Sequence, residues 1–235
     1  MKTIRKVIAG ILMLGVLGGY SAKRAEAVLI TDIIGRVAIT SFREMIDALE
    51  FPPVLDEDEK LWVLTAPDGE ASFWWRGEAN AQRHMLDVQI CFNAEPFVKA
   101  GLELDKLPEE MKGMLDAGRL MMGKQLSWEP LVYDGEITPL GSFERIVKLD
   151  RDSIGYHAPM DHFGVSVADG WVFEWAKDMS KNDKDIVFVL DPKVFLDAGV
   201  DPDKVEGWTF TKVPMMTDRG RRFEVDKFLK GFDLK

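Results

Sequence analysis

The first apolar pattern with a clear period begins at Thr31: Ile34, Val37, Ala38, Met45 and Leu49, with Ser41 as a small residue between turns, follow the three-four spacing of one helix face. Pro52 and Pro53 stop that helix. The period then changes. Leu61–Thr65 and Ala71–Trp75, joined by Ala66-Pro67-Asp68-Gly69, read as a β-hairpin whose Asp-Gly supplies the turn. After a looser stretch, Val88–Phe92 is an apolar strand, followed by a short helix that stops at Gly101, a residue able to take positive φ. The acidic run Asp56-Glu57-Asp58-Glu59 lacks the alternating ligands and the glycine of a calcium loop, and reads as a solvated turn.

The chain then repeats itself. Asp185–Val205 lies over Asp87–Leu107 without a gap, with identities at Asp87/Asp185, Phe97/Phe195, Ala100/Ala198, Gly101/Gly199, Asp105/Asp203 and Lys106/Lys204. A shift of 101 residues aligns Ser41-Phe42 with Ser142-Phe143, Asp68-Gly69 with Asp169-Gly170, and Trp74 with Trp175. The unit so defined is helix, three strands, helix, used twice. The expected fold is α+β: an internal duplication forming antiparallel sheets with helices on one face, in a pseudo-twofold arrangement. One mismatch stands out, because Trp171, Phe173 and Trp175 form the aromatic face of the second hairpin, whereas Ala71, Phe73 and Trp75 are the better apolar face of the first. A turn differing by one residue, or a bulge, reconciles the two. Between the copies, Met111, Met114, Leu115, Gly118 and Met122 have helical spacing and predict a linking helix over 108–123. At the C-terminus, Trp208–Val213 and Arg222–Val225 around Thr217-Asp218-Arg219-Gly220 predict a second hairpin, and 226–232 a short closing helix without a counterpart in the first copy. The expected division is an export signal (1–27), a first repeat (28–107), a linker (108–130) and a second repeat with its extension (131–235).

Charge and the N-terminus give the address. Lys2, Arg5 and Lys6, an apolar run from Val7 to Tyr20, and Ala25-Glu26-Ala27 form the succession of a cleaved signal peptide, so the mature chain is expected to begin at Val28 and to be periplasmic or secreted. The apolar run is shorter than the roughly 20 residues a permanent span needs. Leu17-Gly18-Gly19-Tyr20 resembles a lipoprotein box, but Tyr20 stands where lipidation requires cysteine. Residues 1–27 carry Lys2, Arg5, Lys6, Lys23 and Arg24 against Glu26, a net +4, so the formal −10 of the whole chain leaves −14 on residues 28–235. Such a surface repels nucleic acid and anionic lipid. The single cysteine, Cys91, lies mid-strand and reads as a small buried hydrophobe.

Candidate chemistry is sparse. His157, Asp161 and His162 lie within six residues and form a candidate metal site or acid/base group, although Pro159 argues against a helix that would place both imidazoles on one face. Ser166 between Val165 and Val167 lacks the second glycine of a nucleophile elbow. The methionines, among them Met111, Met114, Met121, Met122, Met160, Met179, Met215 and Met216, could hold monovalent copper outside the cytoplasm, or simply form core and pliable contact surface. In Phe73-Trp74-Trp75 adjacent strand residues face opposite ways, so each face carries a tryptophan. Trp74, Trp75, Trp171 and Trp175 are therefore the candidate ligand-binding residues. Walker loops, dinucleotide fingerprints, zinc-finger spacings and H-E-x-x-H are all missing from the sequence. The first expectation is an exported two-repeat protein that binds a small ligand or a protein partner and uses no cofactor. Its rivals are a metal-dependent enzyme or hydrolase built on His157, Asp161 and His162, with a divalent metal or copper, and a structural protein of the cell envelope.

Overall fold

The computed structural model describes the backbone of residues 20–77, 86–125, 137–181, 184–217 and 219–234, and the side chains of these except 20–32 and 149. Helix α1 (Tyr20–Ala48) precedes strands β1 (Val54–Asp56), β2 (Leu61–Thr65), β3 (Ala71–Arg76) and β4 (Val88–Asn93). Short helices α2 (Glu95–Lys99) and α3 (Glu109–Gly113) lead into the hairpin β5 (Leu115–Asp116) and β6 (Arg119–Lys124). Then come α4 (Pro139–Leu149), β7 (Ile154–His157), β8 (His162–Ala168), β9 (Trp171–Ala176), β10 (Ile186–Leu190), α5 (Lys193–Asp197), β11 (Thr209–Met216) and β12 (Arg222–Phe232). The protein is α+β, mostly strand, with two six-stranded antiparallel sheets ordered β1-β2-β3-β4-β6-β5 and β7-β8-β9-β10-β12-β11.

Three expectations change here. Each sheet has six strands rather than three, because short edge strands β1 and β7 and the two C-terminal hairpins join it. The helix expected over 108–123 ends at Gly113, and the chain turns through Ala117 (φ 47°) and Gly118 (φ 80°) into β6. Two consecutive positive-φ residues make the tight turn whose twist suits a two-residue hairpin. The helix expected over 226–232 is instead the second half of β12, paired with β10 from Ile186↔Phe232 to Leu190↔Phe228. Residues 1–19 of the expected signal lie outside the described residues, and α1 runs without a break through Val28.

The core lies between the two sheets. Alternation sends Phe73 and Trp75 of β3, and Trp171, Phe173 and Trp175 of β9, to the inner faces, where all five are buried. Phe73 stacks on Phe173 with centroids 4.3 Å apart and planes 2° apart. At one end α1 and α4 bring Phe42 and Phe143 into a stack at 3.6 Å, with Trp175 edge-on to both. At the other end α2 and α5 place Phe97 against Phe195 at 4.6 Å. The mismatch between the hairpins is accounted for: Leu64 pairs with Phe73 but Val165 with Phe173, so the second connection is one residue shorter, and β8 carries an irregularity between Ser166 and Ala168.

Candidate functional site

Because Phe163, Val165 and Val167 of β8 face the core, His162, Gly164 and Ser166 face outward, and Glu174 of β9 stands beside Gly164 on that outer face. The four-residue turn 158–161, with Asp161 at φ 56°, brings β7 back against β8 so that His157 pairs with His162. What makes this face a site is the C-terminal hairpin. Only Phe228–Phe232 of β12 pairs with β10, whereas Arg222–Leu229 pairs with β11 and projects beyond β10. The projecting part folds back over its own sheet, and the Nε2–H of His157 donates to the Pro214 carbonyl at 2.8 Å. β7 and β11 are opposite edges of the sheet. The His157 side chain therefore bridges the two edges, and beside the bridge lies a hollow of about 420 Å³, lined by Tyr156, His157, Ser166, Glu174, Met215 and Met216 among others.

The floor of the cavity is an ion pair. His157 Nδ1 lies 3.1 Å from Glu174 Oε1, and His162 Nδ1 lies 3.4 Å from Oε2. With a carboxylate at one ring nitrogen and a carbonyl at the other, both nitrogens of His157 act as donors, which describes the imidazolium. Burial opposes that charge, but the hydrogen bond and charge of Glu174, helped by the Pro214 carbonyl, outweigh it and raise the His157 pKa above its ordinary value. Burial likewise opposes the Glu174 carboxylate, and the two histidines outweigh it and lower its pKa. His162 Nε2 is buried without a hydrogen-bond partner among the described residues.

Asp161 does not join the histidines. It accepts from the Tyr156 hydroxyl and from Lys181, and lies 3.4 Å from Lys177 Nζ. Partial burial pushes its pKa up, but these partners prevail and take it down to about 2. Among the described residues, no group of three histidine, cysteine, aspartate or glutamate side chains is disposed to hold a metal ion. Nor does His157 present a free nitrogen to Ser166, since both of its ring nitrogens are engaged.

The candidate tryptophans divide. Trp75, Trp171 and Trp175 are core residues, and Trp175 donates to Ser41 Oγ at 2.9 Å. Trp74 is half-buried on the outer face of the first sheet, donating to Ser72 Oγ at 2.6 Å. The methionines expected on one helix fall in separate elements, Met111 in α3 and Met121 and Met122 in β6, while Met215 and Met216 line the cavity. A second hollow, of about 280 Å³, draws on both halves, with Asp68 and Asn93 facing Trp208 and Lys230. There the buried Lys230 ammonium meets Asp68 at 2.6 Å and the Gly207 carbonyl at 3.2 Å. The sequence reading passed over Glu174 and Lys230; Glu174 left a local trace as the charged residue of an otherwise apolar and aromatic strand, whereas Lys230 lies among the other charged residues of β12.

No family model matches the chain, and comparison with curated proteins and with solved structures finds no match. Among the described residues no helix is long and apolar enough to cross a membrane.

Proposed function

We propose that this is a binding protein that takes a small, largely apolar ligand into the cavity beneath the β11–β12 hairpin. The observation that carries the reading is the hollow itself: about 420 Å³ of space open to one side, within the range of small-molecule sites, bordered by Met215 and Met216 and spanned by the His157–Pro214 bond. Thioether side chains suit a pocket that adapts to its occupant. The polar groups on the floor are already neutralised as an ion pair, which favours an uncharged ligand over an ionic one. The test uses the apolar fluorophore N-phenylnaphthylamine and the variant Gly155→Phe. Gly155 lines the cavity, and a Cβ built there meets no atom within 4 Å, so a larger side chain has open space in which to leave the strand. The wild type is expected to bind the probe saturably and the variant to lose that binding while keeping its circular dichroism. Undiminished binding by the variant sinks the proposal.

We infer further that the two halves are copies of one unit. The common strand order favours this, as do contacts that each half makes reciprocally with the other: Glu103 N–H donates to the Ala198 carbonyl (2.9 Å), and Asp201 N–H to the Ala100 carbonyl (2.8 Å). Asn93 and Asp191 lead into the following helices alike, accepting from Glu95 N–H at 3.0 Å and Lys193 N–H at 2.9 Å. The export proposal rests on the N-terminal sequence, and mass spectrometry of the extracytoplasmic protein is expected to find Val28 as the first residue; an intact N-terminus on that protein refutes it.

A further inference from the structure

The tip of the overhanging hairpin carries exposed apolar and cationic side chains. Met216 is 41% exposed and Phe223 45%, and between them Arg219, Arg221 and Arg222 are exposed as well. Hydrogen bonds join the two sides of the tip: Thr217 N–H donates to the Arg221 carbonyl at 2.9 Å, Arg221 N–H donates to Thr217 Oγ1 at 3.0 Å, and Gly220 supplies a positive φ of 73°. Met216 pairs with Arg222 and Met215 with Phe223, so Arg222 and Phe223 leave the strand on opposite faces and the end of the hairpin is apolar and cationic at once. The charge is set against its surroundings. Residues 28–235 carry a formal −14, yet three arginines fall within the four residues 219–222, with Asp218 and Glu224 as the nearest acids in sequence. None of the three forms an ion pair with another described residue.

We propose that this tip docks on an anionic lipid surface, with Phe223 and Met216 entering the interfacial layer and the arginines engaging headgroup phosphates. Arginine suits that position because its aliphatic stem lies along apolar surroundings while its planar head forms paired hydrogen bonds to phosphate. An acidic protein partner fits less well: a stable protein interface covers on the order of 1,000 Å² or more, whereas a single projecting turn offers a small convex surface suited to shallow insertion. The overall acidity of the chain, which alone points away from anionic lipid, is overridden locally because screening confines each charge to about 8–10 Å. Docking by the tip places the cavity, which Thr217 borders, beside the membrane. The proposal depends on the tip alone and not on the cavity holding a ligand.

The experiment is co-sedimentation of the full chain with vesicles of phosphatidylcholine alone and of phosphatidylcholine mixed with phosphatidylglycerol; the neutral vesicles report the background from the apolar N-terminal run, and the triple arginine variant that from its basic residues. The wild type is expected to bind the anionic vesicles more tightly, and to lose the difference in high salt. Each arginine near such a surface is worth about fivefold in affinity, so the combined change Arg219→Gln, Arg221→Gln and Arg222→Gln should remove a preference on the order of 100-fold. Phe223→Ser should weaken binding with the arginines intact, and Gly155→Phe should leave it unchanged. Equal binding to the two vesicle types, or an unaltered preference in the triple variant, overturns the proposal. So does capture by polyaspartate beads without capture by vesicles.

Discussion

At the scale of single residues the site turns on His157, which satisfies two acceptors that no neutral imidazole can satisfy together. Glu174 and the Pro214 carbonyl both need a proton from the ring, so the link between the hairpin and the sheet is complete only when the ring is charged. The folded protein holds the His157 pKa above 6.5, so this residue contributes stability that is fully present below 6.5 and is lost as pH rises through the raised value. Glu174 is held below 4.5, so its contribution is present above 4.5 and is lost as pH falls through the lowered value. The pair therefore contributes in full between those two ordinary values. Urea denaturation of the wild type and of His157→Gln, whose side chain is neutral throughout, measures the effect. The stability difference is expected to be largest between pH 4.5 and 6.5 and to shrink as pH rises above 6.5. A difference that stays constant through that rise would mean the ring is neutral at the site.

At the scale of elements, what could be read from the sequence depended on how local the decisive contacts are. The strand and helix shared by Asp87–Leu107 and Asp185–Val205, and the hairpin signalled by Asp68-Gly69, were legible because pattern and turn residue sit within a few positions of one another. The run 108–123 was not, because methionines at three-four spacing fit a helix as well as they fit α3 followed by β6, where Leu120 faces the core; the turn at Ala117 and Gly118 that separates them has only one glycine to announce it. The run 226–232 hid its period for a different reason. Phe228, Lys230 and Phe232 alternate onto the inner face, but a lysine on that face looks like solvent exposure until Asp68 arrives from the other half to meet it. The cavity was beyond the sequence altogether, since it forms where β11 and β12 cross back over a sheet that they themselves extend, and nothing near Pro214 announces a partner at His157. The cluster of His157, Asp161 and His162 does not stay together as a group of three. Its two histidines converge on a glutamate that the reading had not selected, and its aspartate faces lysines.

At the scale of the molecule, each half uses the other as the cover of its own inner sheet face. Phe73 on Phe173, Phe42 on Phe143 and Phe97 on Phe195 are all contacts between halves. Gly101 and Gly199 approach so closely that a Cβ added to either would lie 2.9–3.1 Å from the other's carbonyl oxygen. A boundary between independently stable domains carries few buried aromatic contacts, whereas here the aromatic stack is the core itself, so the halves should unfold together. Phe73→Ala and Phe173→Ala are each expected to cost about 3–5 kcal/mol, as truncations of buried aromatics do. Because the rings rest on each other, the double variant should cost less than the two single costs added, by roughly 0.5–3 kcal/mol. Hydrogen exchange at the β4 and β10 amides, one central strand from each sheet, gives the decisive measurement: in Phe73→Ala both sets of amides should lose protection by the same free energy. Protection lost in β4 but kept in β10 would mean that the second half holds its fold without the first, and that the shared aromatic layer is an interface between two domains.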